Sequence, residues 1–254
     1  MSLVGRRVIV TSGATVEVTS LDRVRVATMT NRSAGTFGAL VGALLLAAEA
    51  DVSYLHGRGA RLPTEAGILE SIGLAPGDLR GRLDLDEFGG IEDLIAALER
   101  RLVGASVLAT LMIVAGSDYR FGEVLRDGLA VKTGKVGSGA DDLVVSLAPT
   151  RKAIAEVKRF NPGALLVGTK LETDVDVDEL ARRAHARLAA CGADLFVADT
   201  DEALRRPDSE HLFVFPDGAY CRHKGKLAAA RALVAWLEER AESRLPGGSG
   251  TKGG

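Results

Sequence analysis

Aromatic side chains make up only 4% of this sequence, with a single tryptophan, which leaves little from which to build a base-stacking surface. Its two cysteines, Cys191 and Cys221, show neither CxxC nor metal-ligand spacing and read as idle thiols of a reducing compartment. Four histidines, His56, His185, His211 and His223, are scattered without an HExxH pattern, so no zinc site is expected. The formal net charge is only −2, which argues against a general binder of nucleic acid. The longest apolar runs, near 37–48 and 102–116, fall short of the ~20 residues a membrane span requires. A charged-then-apolar leader pattern is missing at the start, and the expected location is cytoplasmic. No GxGxxG lies between a strand and a helix, GxxxxGK[ST] is not matched, and no Ser/His/Asp or Cys/His arrangement stands out.

What is present is a globular α/β pattern. Apolar residues are 46% of 254, enough for a full core. Val8 to Thr11 is a short β-branched run suited to a strand buried on both faces, followed at once by the small polar turn Ser12-Gly13. A polar connection leads to TNRSAGTFG (30–38), read as a loop feeding the helix ALVGALLLAAEA, with Asn31 or Ser33 as candidate caps. DVSYLH (51–56) is a second strand, 57–82 a surface loop, and 83–86 a weak strand. IEDLIAALERRL (91–102) has helical spacing behind two acids, and ASVLATLMIVAG (105–116) reads as one long buried strand. Glycines and two lysines in KTGKVGSGADDL give 122–146 the character of a mobile flap, and LVVSL (143–147) a short strand. Helix 150–160, strand 164–170, helix 177–192 with Gly192 as its stop, strand 194–200, a hairpin turning at Pro216-Asp217-Gly218 and a last helix complete the pattern. Trp236 of that helix is a packing residue, and 245–254 reads as a disordered Gly/Ser tail. The alternation predicts a Rossmann-like three-layer α/β/α domain over 1–244 with a mainly parallel sheet, a β-hairpin and a mobile flap.

Six loops become specific together: TSGAT (11–15), TNRSAG (30–35), AGSDYR (115–120), the lysine flap (132–135), LVGTKLET (166–173) and LFVADT (195–200). In this order they resemble the phosphopantothenate–cysteine ligase family, over about 6–240 and in the form that lacks a fused flavin domain. The resemblance implies a ligase of coenzyme A synthesis that joins 4'-phosphopantothenate to cysteine. The substrate carboxylate is activated as an acyl-nucleotide by CTP or ATP with Mg2+, pyrophosphate leaves, and the amine of cysteine then displaces the nucleoside monophosphate. It further implies a homodimer with small-molecule substrates and neither nucleic acid nor membrane as partner.

The same resemblance assigns residues. Ser12, Gly13 and Thr15 fall on the first phosphate loop, and Asn31 on the asparagine that turns the acyl-nucleotide into product, with Ser33 and Gly35 beside it holding the substrate phosphate. Val114, Ala115 and Asp118 fall on the nucleotide's base and ribose, Lys135 and Lys132 on its phosphates, and Thr169 and Lys170 beside it. Ala14, Thr169 and Asp199 depart from the family, which commonly has glycine, phenylalanine and asparagine there, and 16–28 is longer than usual. KLET resembles the ATP-using members and the remainder the CTP-using ones, with CTP preferred. Two alternatives stand: a non-catalytic nucleotide-binding protein derived from this fold, and an NAD(P)-dependent oxidoreductase, against which argue the lack of a GxGxxG between strand and helix and of an acidic ribose ligand.

Overall fold

The computed structural model describes residues 3–21, 24–131, 139, 141–202, 206 and 208–244. The chain opens with β1 (Arg7–Ser12), sends out an antiparallel hairpin of β2 (Val16–Leu21) and β3 (Val24–Thr30), and enters helix α1 (Thr36–Ala47). There follow β4 (Asp51–Gly57), α2 (Ala66–Ile72), β5 (Leu83–Phe88), α3 (Ile91–Leu102) and β6 (Ala109–Met112). A ribbon of β7 (Tyr119–Arg126), β8 (Leu129–Ala130) and β9 (Leu143–Pro149) comes next. The second half runs α4 (Ala153–Phe160), β10 (Leu165–Glu172), α5 (Val177–Cys191), β11 (Leu195–Thr200), β12 (Glu210–Val214), β13 (Tyr220–Lys224) and α6 (Lys226–Ser243).

Eight strands form one sheet in the order β13-β12-β11-β10-β6-β1-β4-β5. From β11 to β5 every pairing is parallel, and the β12–β13 hairpin adds antiparallel pairs at one edge. Parallel strands must be covered on both faces, which is why their sequences are nearly unbroken apolar runs. On one face Val8, Val10, Tyr54 and Val167 pack under α1, α2 and α6, with Trp236 among the buried residues. On the other, Ile9, Leu55, Met112, Leu166 and Phe196 pack under α3, α4 and α5. The chain leaves β1 for β4 and β5 and returns to β6 on its opposite side, so strand order reverses between β1 and β6. In a sheet of this type ligands lie in the crevice beyond the carboxyl ends at that reversal.

Local chemistry accounts for the helices. α3 turns Ile91, Leu94, Ile95 and Leu98 inward, with Glu92 and Asp93 in its first turn and Arg100 and Arg101 in its last, each complementing the helix dipole. α5 is capped by Asp176, whose side chain accepts the Glu179 N–H at 2.8 Å, and stops at Gly192 in the left-handed region.

Several elements differ from the sequence reading. The connection after Thr15 is the β2–β3 hairpin, and VEVTS and VRVAT do carry the alternation of a strand. Residues 66–72, read as loop, form a helix that buries Ile68, Leu69 and Ile72. The long strand at 105–116 shrinks to Ala109–Met112, because residues beyond 112 leave the sheet to line the crevice. The described flanks of the flap pair as β7, β8 and β9. α1 begins after Gly35, in the left-handed region, with no side-chain cap, so neither Asn31 nor Ser33 caps it. Among the described residues no helix is long and apolar enough to cross a membrane.

Gly168 of β10 shows how tightly the second face is filled. A Cβ there would lie 2.5 Å from Phe196 Cε2 and 2.8 Å from Ile154 Cδ1. We expect Gly168→Val to cost about 1–3 kcal/mol by overpacking, read as a melting temperature several degrees lower. An unchanged midpoint would mean that Phe196 and Ile154 can move aside freely.

Candidate functional site

Three loops meet at the reversal point. The first, Gly13 to Thr15, continues β1 beyond the sheet and stays paired with the loop after β6. Ala115 N–H donates to Gly13 O at 2.9 Å, and Thr15 N–H donates to Ala115 O at 3.2 Å. The buried Thr15 hydroxyl donates to Ser117 Oγ at 2.9 Å and accepts from Ser117 N–H at 2.8 Å. Thr150 extends this staple to the start of α4, its hydroxyl donating to Ser117 O at 2.6 Å and its N–H to Asp118 O at 3.0 Å.

The second loop closes on the first through the absence of side chains. Ser12 is fully buried and its hydroxyl donates to Gly35 O at 3.1 Å. Gly35 has φ +73°, and a Cβ on it would lie 2.8 Å from Ser12 Oγ and 3.2 Å from Gly13 N. Gly13, at φ +80°, could carry a side chain only by displacing Ala60, 2.5 Å from its would-be Cβ. Both positions need glycine for the turn and for the approach. Ser33 Oγ accepts the Gly35 N–H at 3.4 Å. Asn31 is exposed and donates through Nδ2 to Gly116 O at 2.9 Å, so its amide lies on the loop after β6.

Beside these loops a cleft of about 160 Å³ opens between β6, β10 and the starts of α3 and α4. Its walls include Val114, Asp118, Thr169 and Lys170, four residues chosen from sequence that are distant in the chain. Ala115 lies in the adjoining loop and does not line it. Arg151, Lys152 and Arg187 also line it, and so does Phe196. Of the four cations there, Arg151 pairs with Glu92, Lys152 with Asp118, and Lys170 with Glu172 at 2.7 Å. Lys170, joined by Arg183, holds the Glu172 carboxyl below its usual range, and Arg151 does the same for Glu92. Arg187 has no carboxylate partner among the described residues, and it projects a free charge into the cleft.

The structure therefore brings Ser12, Gly13, Thr15, Asn31, Ser33 and Gly35 to one edge, with the cleft beside them. Lys132 and Lys135 lie outside the described residues. Sequence reasoning missed Ser117, Arg151, Lys152 and Arg187. Ser117 stands inside a loop already singled out, but the three cations sit on helical patterns where a basic residue ordinarily faces solvent. Asp199, noted as a departure, accepts from His211 Nδ1 at 2.6 Å, and that imidazole is buried and stacked on Phe37 of the first turn of α1. Among the described residues no group of three His, Cys, Asp or Glu could hold a metal ion.

Residues 3–72 match the family model of the DNA/pantothenate metabolism flavoprotein C-terminal domain. Over 218 residues the chain is 31% identical to the coenzyme A biosynthesis bifunctional protein CoaBC of Thermococcus kodakarensis, an alignment that takes in 86% of this chain and 47% of that protein. The chain thus spans about half the length of this curated relative. Its fold is similar to that of the DNA/pantothenate metabolism flavoprotein from Streptococcus pneumoniae, with a TM-score of 0.75, 24% identity and coverage of 92% of this chain and 99% of that one. It is also similar to a Cab2 mutant in complex with phosphopantothenate-cysteine, with a TM-score of 0.66, 19% identity and coverage of 94% and 89%.

The Thr15–Ser117 staple is the part of the site most open to a stability test. Thr15→Val keeps the shape and strands the buried Ser117 N–H, which should cost about 1–3 kcal/mol. Thr15→Ser keeps the hydroxyl and should recover most of that in denaturant melts. A Thr15→Val variant as stable as wild type would show that the hydroxyl staple contributes nothing measurable.

Proposed function

We propose that the chain, whose residues 3–72 match the family model of the DNA/pantothenate metabolism flavoprotein C-terminal domain, is a phosphopantothenate–cysteine ligase using CTP, with ATP as the competing nucleotide. The observation that carries this reading is the meeting of two side-chain-poor loops and a cation-lined cleft at the one sheet edge where such folds bind ligands. The compound bound in the Cab2 complex, phosphopantothenate-cysteine, is the amide that such a ligation forms and is in keeping with it.

The chemistry suits the residues at hand. In the first step a carboxylate oxygen of 4'-phosphopantothenate attacks the α-phosphorus of the nucleotide. The bond from that phosphorus to the bridging oxygen breaks, and pyrophosphate leaves. In the second the amine of cysteine attacks the acyl carbon, loses a proton, and expels the nucleoside monophosphate. No protein nucleophile is required, only charge neutralisation and positioning. Of the two loops, Gly13 and Ala14 in the first and Ser33 and Ala34 in the second would turn backbone N–H groups to phosphate oxygens, since the Thr15 and Gly35 N–H groups are taken by Ala115 O and Ser33 Oγ. Val114, Ala115, Asp118, Thr169 and Lys170 would hold the nucleoside end, and Arg187 the phosphates, joined by Lys135 and Lys132 on the strength of the family motif. A magnesium ion, which takes most of its ligands from phosphate and water, fits a site with few carboxylates, of which Asp118 is the one lining the cleft. Bound there, it would neutralise phosphate charge.

Asn31 has the most specific role. One hydrogen of its amide is used by Gly116 O, and the second is free to meet the acyl oxygen as negative charge develops there. Asn31→Asp keeps size, removes the donor and adds a repelling charge. With phosphopantothenate, cysteine and CTP or ATP, the wild-type chain should release pyrophosphate and form the amide. The variant should release pyrophosphate yet accumulate acyl-nucleotide, with product formation down roughly 10²–10³-fold as for loss of an oxyanion donor. Mass spectrometry of the quenched reactions reads both. Normal product from the variant would remove Asn31 from catalysis, and no pyrophosphate from the wild type with either nucleotide would remove the ligase reading.

A homodimer belongs to the same proposal. Tyr119, Leu129, Leu143, Val144 and Leu147 of the β7–β9 ribbon are exposed large apolar residues, a surface that a second copy would cover. Light scattering at micromolar concentration should give twice the chain mass, and a fully active monomer would end this part of the proposal.

A further inference from the structure

Within the cleft one ion pair differs from the others. Arg151 and Lys170 reach their carboxylates, Glu92 and Glu172, outside the lining, whereas Asp118 and Lys152 both line the cleft and close on each other inside it. Any ligand that enters must compete with this pair. Its members remain 69% and 44% exposed, so water screens their attraction and the pair holds only weakly. The backbone beneath is firm, since Thr150 anchors the start of α4 to Ser117 and Asp118 by two hydrogen bonds. Lys152 stands two residues beyond that anchor on a flexible four-carbon stem, so its ammonium can swing while its Cα stays in place.

We propose that Lys152 is a further nucleotide-binding residue, held by Asp118 in the empty cleft and transferred to a phosphate when a nucleotide binds. This rests on the nucleotide reading of the cleft given above. An ionised carboxylate only accepts hydrogen bonds and an ammonium only donates them. A nucleotide carries donors at its sugar and base and acceptors with negative charge at its phosphates. Such a ligand satisfies both partners of the broken pair at once, with Asp118 taking a hydroxyl or amino hydrogen and Lys152 a phosphate oxygen. A nucleoside without phosphate offers nothing to Lys152 and must displace it from Asp118 unaided. The pair therefore selects for ligands bearing both a donor end and an anionic end.

Calorimetric titration of the full chain with cytidine, CMP and CTP, and with the adenosine series, tests this in wild type, Lys152→Met and Lys152→Arg. In Lys152→Met the dissociation constant for CTP should rise at least tenfold, while that for cytidine stays level or falls because Asp118 is released. Lys152→Arg should restore most of the triphosphate affinity. CTP affinity within twofold of wild type in Lys152→Met would overturn the proposal, leaving the pair a surface clasp. Equal weakening of cytidine and CTP, with a lower melting temperature, would overturn it too, by showing that Lys152 acts on the shape of the cleft. Failure of wild type to bind CTP or ATP would instead remove the nucleotide reading, and the role of Lys152 with it.

Discussion

Everything at the carboxyl edge of this sheet depends on a close approach of backbone to backbone. The chain beyond β1 and the chain beyond β6 keep pairing after the sheet has ended, through Gly13, Thr15 and Ala115. The loop before α1 then presses on the first from another side, with Gly35 against the Ser12 hydroxyl. Such an approach leaves no room for side chains at Gly13 and Gly35. It is paid for by buried hydrogen bonds among Thr15, Ser117 and Thr150, which satisfy polar groups that would otherwise be stranded.

The cleft beside these loops divides its charges by how firmly they are held. Glu172 is shared by Lys170 and Arg183, and Arg183 also bonds Glu179, so Lys170 belongs to a network anchored on α5. Arg151 is tied across the mouth to Glu92 at the start of α3. Lys152 and Asp118 form the loose pair, and Arg187 stands without a partner among the described residues. Such a site opens most easily at the Asp118–Lys152 pair, whose exposed partners are screened from each other by water. It still offers a tetra-anionic ligand four cations in one place.

Much of this was legible in the residues. A β-branched run gave β1, short apolar runs gave β4, β10 and β11 close to their observed bounds, and the apolar spacing of 91–102 reproduced α3 to the residue. The loops TSGAT, TNRSAG and AGSDYR were set together, with three others, only by their order and its resemblance to the ligase family, since each one alone reads as an ordinary connection between a strand and a helix. Other parts were misjudged for physical reasons. α2 is a seven-residue helix between glycine- and proline-bearing loops, too short for its periodicity to outweigh them. β6 stops at Met112 although the apolar run continues, since Val114 turns to line the cleft and an apolar residue serves equally well in either place.

By itself, then, the sequence determined the order and kind of the elements, the two-faced burial of the strands, and which loops are too poor in side chains to be packing units. These follow from local periodicity and from steric rules that act within a few residues. Only the tertiary structure decided that Lys152 faces Asp118, that Thr15 and Ser117 interlock, and that Asn31 turns its amide to Gly116 instead of capping α1. Those pairings join residues 34, 102 and 85 positions apart, and no local propensity encodes them. They arise because the reversal of strand order at β1 and β6 folds separate loops onto one edge, where each polar side chain takes the nearest partner that burial leaves it.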